Sequence, residues 1–229
     1  MKKYHRFLLI SAVFGLLIWG QALSGCAPTK LYSIDMKYDA SRVVAPEYLK
    51  PEGKALEAVI TVAEFADRRR VEDEKIIGRV IEKNGTNVMV FPRYVLASRA
   101  VAGGIQDYLK QAGYRIATAA RWDLDEEAMP AATGRLLIGG SIDEMQINTR
   151  RGFPTNTYTA SVKLTVIFAD ITEGRIVYTR RVEATAAREH ISFSEKRMGY
   201  YASELLGEAI RNVFEDRAVA QQIKELATQ

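Results

Sequence analysis

The stretch "SVKLTVIFADITEGRIVYTRRVEA", from Ser161 to Ala184, decides the fold of this chain. Its first half alternates apolar residues with polar ones, at Val162, Leu164, Val166 and Phe168 and at Ser161, Lys163 and Thr165. A period of two is typical of a strand that buries one face. "DITEGR" then turns the chain back into a second strand. The stretch therefore predicts two long antiparallel strands with one covered face.

The chain on either side extends this pattern. We predict three long strands, over Arg135–Asn148, Tyr158–Asp170 and Arg175–Arg188, with "RRGFPTNT" joining the first to the second. Apolar residues then recur every three or four positions from Ser194 to Glu215, which indicates a helix with one buried side. A short polar helix over Ala218–Ala227 follows it.

Before the long strands, the pattern changes from strand to hairpin to helix. "EAVITVAEF", from Glu57 to Phe65, predicts a central strand. Asn84-Gly85 predicts a hairpin with a type I′ turn inside "IIGRVIEKNGTNVMVF". Helical spacing from Tyr94 to Ala112 includes Gly103-Gly104, which we expect to pack closely on a sheet. "YRIAT" then predicts another strand.

Together these elements predict an α+β fold, with a mostly antiparallel sheet and two main helices packed on one face. The predicted domain spans residues 57–229. Residues 26–56 carry three prolines and no sustained period, which predicts a tether, although Lys30–Met36 fits a short edge strand. A tether of this length reaches at most about 100 Å when fully extended.

Cys26 is the only cysteine in 229 residues, and its surroundings are not those of a structural or catalytic thiol. An intrachain disulfide needs a second thiol, and a thiolate metal site needs further ligands. Upstream lie Lys2, Lys3 and Arg6, then a run from Phe7 to Gly20 that is apolar except for Ser11. This order is typical of a secretory signal peptide, here residues 1–25. The run is shorter than the roughly 20 apolar residues that span a bilayer.

Leu23-Ser24-Gly25-Cys26 resembles a bacterial lipobox. The resemblance implies cleavage before Cys26 and acylation of its thiol and its new amine. Two or more acyl chains give stable anchoring, whereas one gives marginal binding. The expected membrane partner is therefore bound through acylated Cys26. Ala27 stands where an aspartate would signal inner-membrane retention, which implies the periplasmic face of the outer membrane.

Charge and motif content exclude several function classes. Three of the 32 basic residues fall in the signal peptide, so 29 remain against 28 acidic ones. This nearly neutral balance gives no reason to expect nucleic acid as a partner. The sequence contains no phosphate-binding loop, dinucleotide fingerprint or nucleophile elbow. We therefore expect no cofactor and no catalytic residue.

The remaining candidates for chemistry are weak. His190 lies two residues from Ser192 near a predicted strand end, without the context of an oxyanion hole. The acids within Asp123–Glu127 lack the glycine and the distal glutamate of a calcium loop, so no metal is expected. The arginine groups, Arg68–Arg70 among them, suit either phosphate contacts or solvated loops.

One polar surface fits protein binding better. The long strands leave a face that carries Lys163 and Arg181, and Arg150 and Arg151 lie in the turn beside it. We expect these four residues to bind a protein partner, since an open sheet face or edge is a common docking surface. Ile167 and Val177 are expected to make the face partly apolar, and simple solvent exposure is the alternative.

Three short motifs resemble known lipoproteins. "LYSID" resembles the start of ABC-transporter auxiliary lipoproteins, and "VAEFADRRR" followed by "IIGR" resembles YajG-type lipoproteins. "FADITEGRIVYTRRVEA" resembles the penultimate hairpin of both groups. The resemblance covers about residues 31–216 and implies a non-enzymatic, periplasm-facing accessory subunit of an ABC- or MCE-type lipid-transport complex. A lipoprotein regulator of cell-wall synthesis or envelope assembly, reaching out on its tether, and a periplasmic hydrolase with an unrecognised site are the alternatives.

Overall fold

The computed structural model describes residues 30–38 and 44–228, in which nine strands form one sheet beside three α-helices. The strands are β1 (Tyr32–Ile34), β2 (Val59–Ala63), β3 (Ala66–Asp67), β4 (Gly78–Ile81), β5 (Asn87–Pro92), β6 (Arg115–Ala119), β7 (Leu136–Arg150), β8 (Asn156–Asp170) and β9 (Arg175–His190). The helices are α1 (Ala97–Ala112), α2 (Glu195–Phe214) and α3 (Arg217–Thr228). None of these helices is long and apolar enough to cross a membrane.

β7 is the centre of the sheet. On one edge it pairs antiparallel with β8 along its length, and β9 pairs antiparallel with β8. On its other edge β2, β3 and β4 pair with it in succession, all parallel. β6 joins β2, and β5 and β1 extend the sheet beyond β4. The three predicted long strands and their meander are confirmed.

The sheet is mixed, so the prediction of a mostly antiparallel sheet is wrong in part. Five of the strand pairings are parallel, and the antiparallel ones are β4–β5, β7–β8 and β8–β9. Periodicity identifies a strand but not the direction of its partner. The parallel pairs join segments far apart in sequence, as β2 and β6 do across α1.

The β4–β5 hairpin forms as predicted, but its turn is not type I′. A type I′ turn needs positive φ at both central residues, and in this turn only Gly85 has it, at 84°. The Glu82 amide donates a hydrogen bond to Thr86 O, and the Gly85 amide donates one to Glu82 O. The turn is therefore longer and spans residues 82–86.

A buried arginine bridges the gap between β3 and β4 on the edge of β7. The side chains of Arg69 and Asp67 are 2% and 5% exposed, and Arg69 Nη2 lies 2.6 Å from Asp67 Oδ2. Arg69 also donates to Ile76 O at 2.8 Å and Glu74 O at 2.6 Å, and approaches Met145 O at 3.5 Å. The guanidinium thus donates to backbone carbonyls in the interval between β3 and β4, where no neighbouring strand pairs with β7. Asp67 neutralises the charge of the guanidinium. Arg69 is therefore not part of a solvated loop.

Both sides of β7 are covered near its start. A side chain at Gly139 would meet the Trp122 ring at 2.6 Å, and one at Gly140 would meet the Phe65 ring at 2.5 Å. Phe65 belongs to the main core beneath the helices, and Trp122 to a smaller apolar cluster on the other face. The acidic loop that follows Trp122 holds it there, because Trp122 Nε1 donates to Asp125 O at 2.8 Å.

The folded unit begins at Leu31, earlier than the predicted boundary at 57. β1 pairs with β5 at the edge of the sheet, in agreement with the expected edge strand. The next residues lie along α2: the Lys37 amide donates to Ser203 Oγ at 3.0 Å, and the Tyr38 ring lies about 3.5 Å from the Cβ position of Gly207. Leu49 is also buried, in a 3-10 turn that contacts α3. Proline content marked these residues as a tether, but small residues on α2 provide the surface on which they pack.

Three helices, not two, bury apolar side chains in the main core. The last helix, α3, was expected to be polar, but it buries Val219, Ala220, Ile223 and Leu226. The Gly103-Gly104 pair in α1 also differs from expectation. A side chain at Gly104 would meet Ile210 of α2 and Tyr38, and one at Gly103 would meet nothing. Gly104 therefore serves helix packing and not helix–sheet packing.

The first prediction concerns the Asp67–Arg69 pair. Replacing Arg69 by Met leaves Asp67 buried without its countercharge, which should lower the free energy of unfolding by about 3–5 kcal/mol. Arg70 is exposed, so Arg70→Met should change it by less than about 0.5 kcal/mol. Urea denaturation of an unlipidated chain that starts at residue 27 measures both. Equal midpoints for the two variants would contradict the assigned role of Arg69.

The second prediction separates the two helix glycines. Gly103→Ala should stabilise the protein by about 0.5–1 kcal/mol, because alanine favours a helix and the added methyl meets no atom. Gly104→Ala should destabilise it by about 1–3 kcal/mol through overpacking against Ile210 and Tyr38. The same urea titration distinguishes them, and a shift of equal sign for both would contradict this packing.

Candidate partner-binding surface

The outer side of β7, β8 and β9, away from the helices, is the surface that the helices leave uncovered; we call it the open face. Strand alternation places residues on it that are exposed or half-buried: Gln146, Asn148 and Arg150 of β7, Thr157, Thr159, Ser161, Lys163 and Thr165 of β8, and Thr179, Arg181, Glu183 and Thr185 of β9. Their even-numbered neighbours on β8, Val162 among them, point into the core. The open face is therefore rich in hydroxyl, amide and charged groups.

Lys163 sits between two acids. Its Nζ lies 3.2 Å from Glu144 Oε2 and 3.4 Å from Glu183 Oε1. The hydrogen bond to Glu144, followed by that to Glu183, raises the pKa of Lys163 above its usual value. Ser161 Oγ donates to Glu144 at 2.6 Å, which is the main reason why the pKa of Glu144 is lowered. Lys163 is thus charged and already neutralised by its neighbours.

Arg181 is the available cation beside Lys163. It is exposed and lies opposite Thr165, two residue pairs along the strands from the Lys163–Glu183 pair. In residues 30–38 and 44–228, no acid or hydrogen-bond acceptor engages its guanidinium. The structure therefore brings Lys163 and Arg181 together, as the alternation pattern predicted. Arg181 is the one of the two that is free to bind a carboxylate or phosphate.

Arg150 and Arg151 lie elsewhere and point to different sides. Arg150 is exposed on the open face, and its partner Thr157 is six residues from Lys163 along β8, about 20 Å away at the rise of a strand. Arg151 Nη1 binds Glu82 Oε2 at 2.7 Å, and its guanidinium lies 5.0 Å from the centre of the Phe193 ring. Arg151 thus joins elements of the fold, and only Arg150 shares the open face with Lys163.

The sequence reasoning missed Arg79. Arg79 is a residue of β4 and lies opposite Asn148 of β7. Two residues further along β4, Ile81 lies opposite Arg150. Both arginines line a shallow depression of about 320 Å³, together with Thr157 and Thr159. No periodic signal could have found this, because a parallel pairing between β4 and β7 places them side by side. The open face thus has a second basic region near its end.

The apolar part of the open face is smaller than expected. Ile167 is buried in the Trp122 cluster, whereas Val177 packs against the main core. A β-bulge explains the difference: Phe168 pairs with Tyr178 and Ala169 pairs with Ile176, so Val177 has no opposite residue and turns to the helix side. The two residues therefore do not form one exposed patch.

The weak catalytic and metal candidates have structural contacts. His190 Nδ1 accepts a hydrogen bond from the Ser192 amide at 3.0 Å, within a tight turn that ends β9. Glu126 Oε1 accepts a hydrogen bond from the Ile176 amide at 2.6 Å, which ties the acidic loop to β9. Within the described part of the chain, no group of three or more His, Cys, Asp or Glu residues is placed to hold a metal ion.

Comparisons with known proteins identify the fold only. No protein-family model matches the chain, and no curated protein matches it in sequence. A solved structure from Xanthomonas campestris, of family model DUF330, has a TM-score of 0.52 at 15% identity and covers 86% of this chain and 99% of its own. This likeness shows a shared fold over most of the chain.

Two further structures are more remote. A minor lipoprotein from Acinetobacter baumannii has a TM-score of 0.32 at 8% identity, with 72% of this chain and 90% of that chain covered. A hypothetical protein from Chlamydia trachomatis has a TM-score of 0.38 at 12% identity, with 74% and 97% covered. At this distance neither adds to what the fold comparison shows.

Proposed function

We propose that this chain is a lipid-anchored, non-enzymatic accessory module of the bacterial envelope that acts by binding a protein partner. The observation that carries the proposal is the open face: three strands leave a broad polar surface uncovered, with Arg181 and Arg150 exposed on it. An exposed guanidinium group without an intramolecular partner can pair with a carboxylate or phosphate of a binding partner, and such complementary charges steer association.

The anchor of the module is Cys26, with the signal-peptidase motif Leu23-Ser24-Gly25 before it. These residues lie outside the described residues, so this part of the proposal rests on the lipobox alone. The chain from Cys26 to the start of the folded unit at Leu31 is five residues long. Fully extended, it reaches about 17 Å. The module therefore works close to the bilayer that holds its acyl chains.

This short reach separates the candidate partners. A regulator that crosses the envelope to a cell-wall synthase needs the long tether that residues 31–56, packed on the domain where they are described, do not supply. A partner at the membrane surface, such as an ABC- or MCE-type lipid-transport complex, suits a module held within this distance. The DUF330 fold likeness is compatible with this assignment but does not name the partner.

The third prediction concerns the anchor. Cys26→Ser removes the thiol that the lipobox offers for acylation, so processed Cys26→Ser protein should leave the detergent phase in Triton X-114 partitioning. The wild-type protein should remain there, because two or more acyl chains hold a protein stably in lipid. Mass spectrometry of the wild type should show acyl groups on Cys26. An intact, unacylated chain in the membrane would contradict the proposed anchor.

The fourth prediction concerns the open face. The double change Arg181→Glu with Lys163→Gln should abolish co-purification of the partner from cross-linked membranes. Glutamine at 163 keeps a hydrogen-bond donor without adding another acid beside Glu144 and Glu183. Surface changes of this kind usually cost less than about 0.5 kcal/mol each, so the domain should remain folded.

The matched control carries the same charge change on the helical side. Arg99 and Lys110 of α1 are exposed and each pairs with a single acid. Arg99→Glu with Lys110→Gln should leave co-purification unchanged. Undiminished capture by the folded Arg181→Glu, Lys163→Gln protein would exclude this part of the open face and direct attention to Arg79 and Arg150.

A further inference from the structure

Three apolar side chains are exposed at one end of the domain. Phe153, in the β7–β8 loop, is 93% exposed, Ile191, just after β9, is 78% exposed, and Leu31, just before β1, is 58% exposed. We call these three residues the apolar tip. Single exposed apolar residues are ordinary on protein surfaces, but three from separate segments at one end need an explanation.

Hydrogen bonds and ring contacts show that these segments meet. Asn156 Nδ2 donates to His190 O at 3.1 Å and to Ile191 O at 3.2 Å, so the loop of Phe153 is tied to the end of β9. The Tyr32 ring contacts the Phe193 ring at a centroid distance of 5.1 Å, which places the entry to β1 beside the segment that follows β9 and contains Ile191.

Strand direction confirms the placement of Leu31. β1 runs parallel to β5, and β5 starts from the β4–β5 turn, where Ile81 lies opposite Arg150. The chain before Tyr32 is therefore directed toward the same end of the sheet as Arg150. The β7–β8 loop, the β4–β5 turn and the point at which the chain enters the domain share that end.

The charges around the apolar tip are mainly positive. Lys83 in the β4–β5 turn and Arg150 are exposed, and within residues 30–38 and 44–228 nothing pairs with either side chain. Of the acids at this end, Glu82 is neutralised by Arg151, whereas Glu189 is exposed, accepts a hydrogen bond from Thr155 at 3.2 Å and is outnumbered by Lys83 and Arg150. Unpaired cations beside exposed Phe and Ile are the combination that anionic lipid surfaces attract.

We propose that the apolar tip is a membrane-contact surface, which inserts Phe153, Ile191 and Leu31 into the headgroup region of the bilayer beside Lys83 and Arg150. The proposal rests on the proposed anchor, because about 17 Å of chain between Cys26 and Leu31 holds this end within reach of the lipid. In this orientation β7 points with its Arg150 end toward the bilayer, and the Trp122 loop lies at the end of the domain farthest from the lipid.

A protein partner fits the apolar tip less well than a bilayer does. Three side chains alone offer much less area than the roughly 1,200 Å² that stable protein interfaces bury in total. An already anchored protein needs only a weak added contact to fix its orientation. The bilayer therefore accounts for the number and type of these residues, and self-association is an outcome that the experiment detects.

The test uses the lipidated protein in vesicles of phosphatidylethanolamine with a minority of phosphatidylglycerol. Acylation consumes the Cys26 thiol, so Phe153→Cys carries a single free thiol that takes a nitrobenzoxadiazole label. Thr172→Cys, in the exposed β8–β9 turn at the opposite end of the strands, is the matched control. Lipids with nitroxide on the acyl chain should quench the label at 153 about fivefold more than the label at 172. Ile191→Cys should behave as Phe153→Cys does.

Equal quenching at 153 and 172 would overturn the proposal. The proposal would also be overturned if the fluorescence of the label at 153 changed with protein concentration and did not change with nitroxide lipid. That result would indicate self-association through the apolar tip. If mass spectrometry shows no acyl chain on Cys26, the proposed anchor fails, and the same labels are read on the Cys26→Ser protein with added vesicles. Quenching of the label at 153 in the Cys26→Ser protein would support membrane contact by the apolar tip even without an acyl anchor. If that label is not quenched, the membrane-contact proposal is overturned together with the anchor.

Discussion

The structure depends on satisfying both edges of one long strand, β7. A buried central strand leaves no room for unpaired amide or carbonyl groups. β8 satisfies one edge along its whole length, while the other edge is shared by β2, β3 and β4 in succession. The interval between β3 and β4 is where Arg69 enters, neutralised by Asp67. The Asp67–Arg69 pair and the three short strands β2, β3 and β4 therefore together satisfy this edge of β7.

Local periodicity was enough to predict the long strands and the main helices, whereas the two-residue strand β3 is too short to carry a period. The predicted helix over Ser194–Glu215 differs from α2 by one residue at each end, and the three long strands were located by alternation and turn residues. The partners of the short strands could not be predicted, because a parallel neighbour of β7 is chosen by contacts across the whole chain. The tether boundary failed for a related reason: residues 31–38 are held by α2, whose small side chains lie more than 150 positions away.

The candidate surface was predicted where alternation is regular and missed where it is broken. Lys163 and Arg181 share a face because β8 and β9 keep register between them. Val177 does not share it, since the bulge beside Phe168 reverses the pattern for one residue. Arg151 follows the last residue of β7 and turns toward Glu82, a direction that no repeat encodes. Arg79 joins the surface only through the pairing of β4 with β7.

The position of β1 also affects the order in which parts of the chain can fold. The Ser33 amide binds Glu195 and the Lys37 amide binds Ser203, so the first strand is completed by residues that are synthesised almost last. Contacts of such long sequence separation form slowly, because a long loop must be closed before they can be made. β1 therefore cannot complete its contacts until α2 is available, so nearly the whole chain must be present before this edge of the sheet can close.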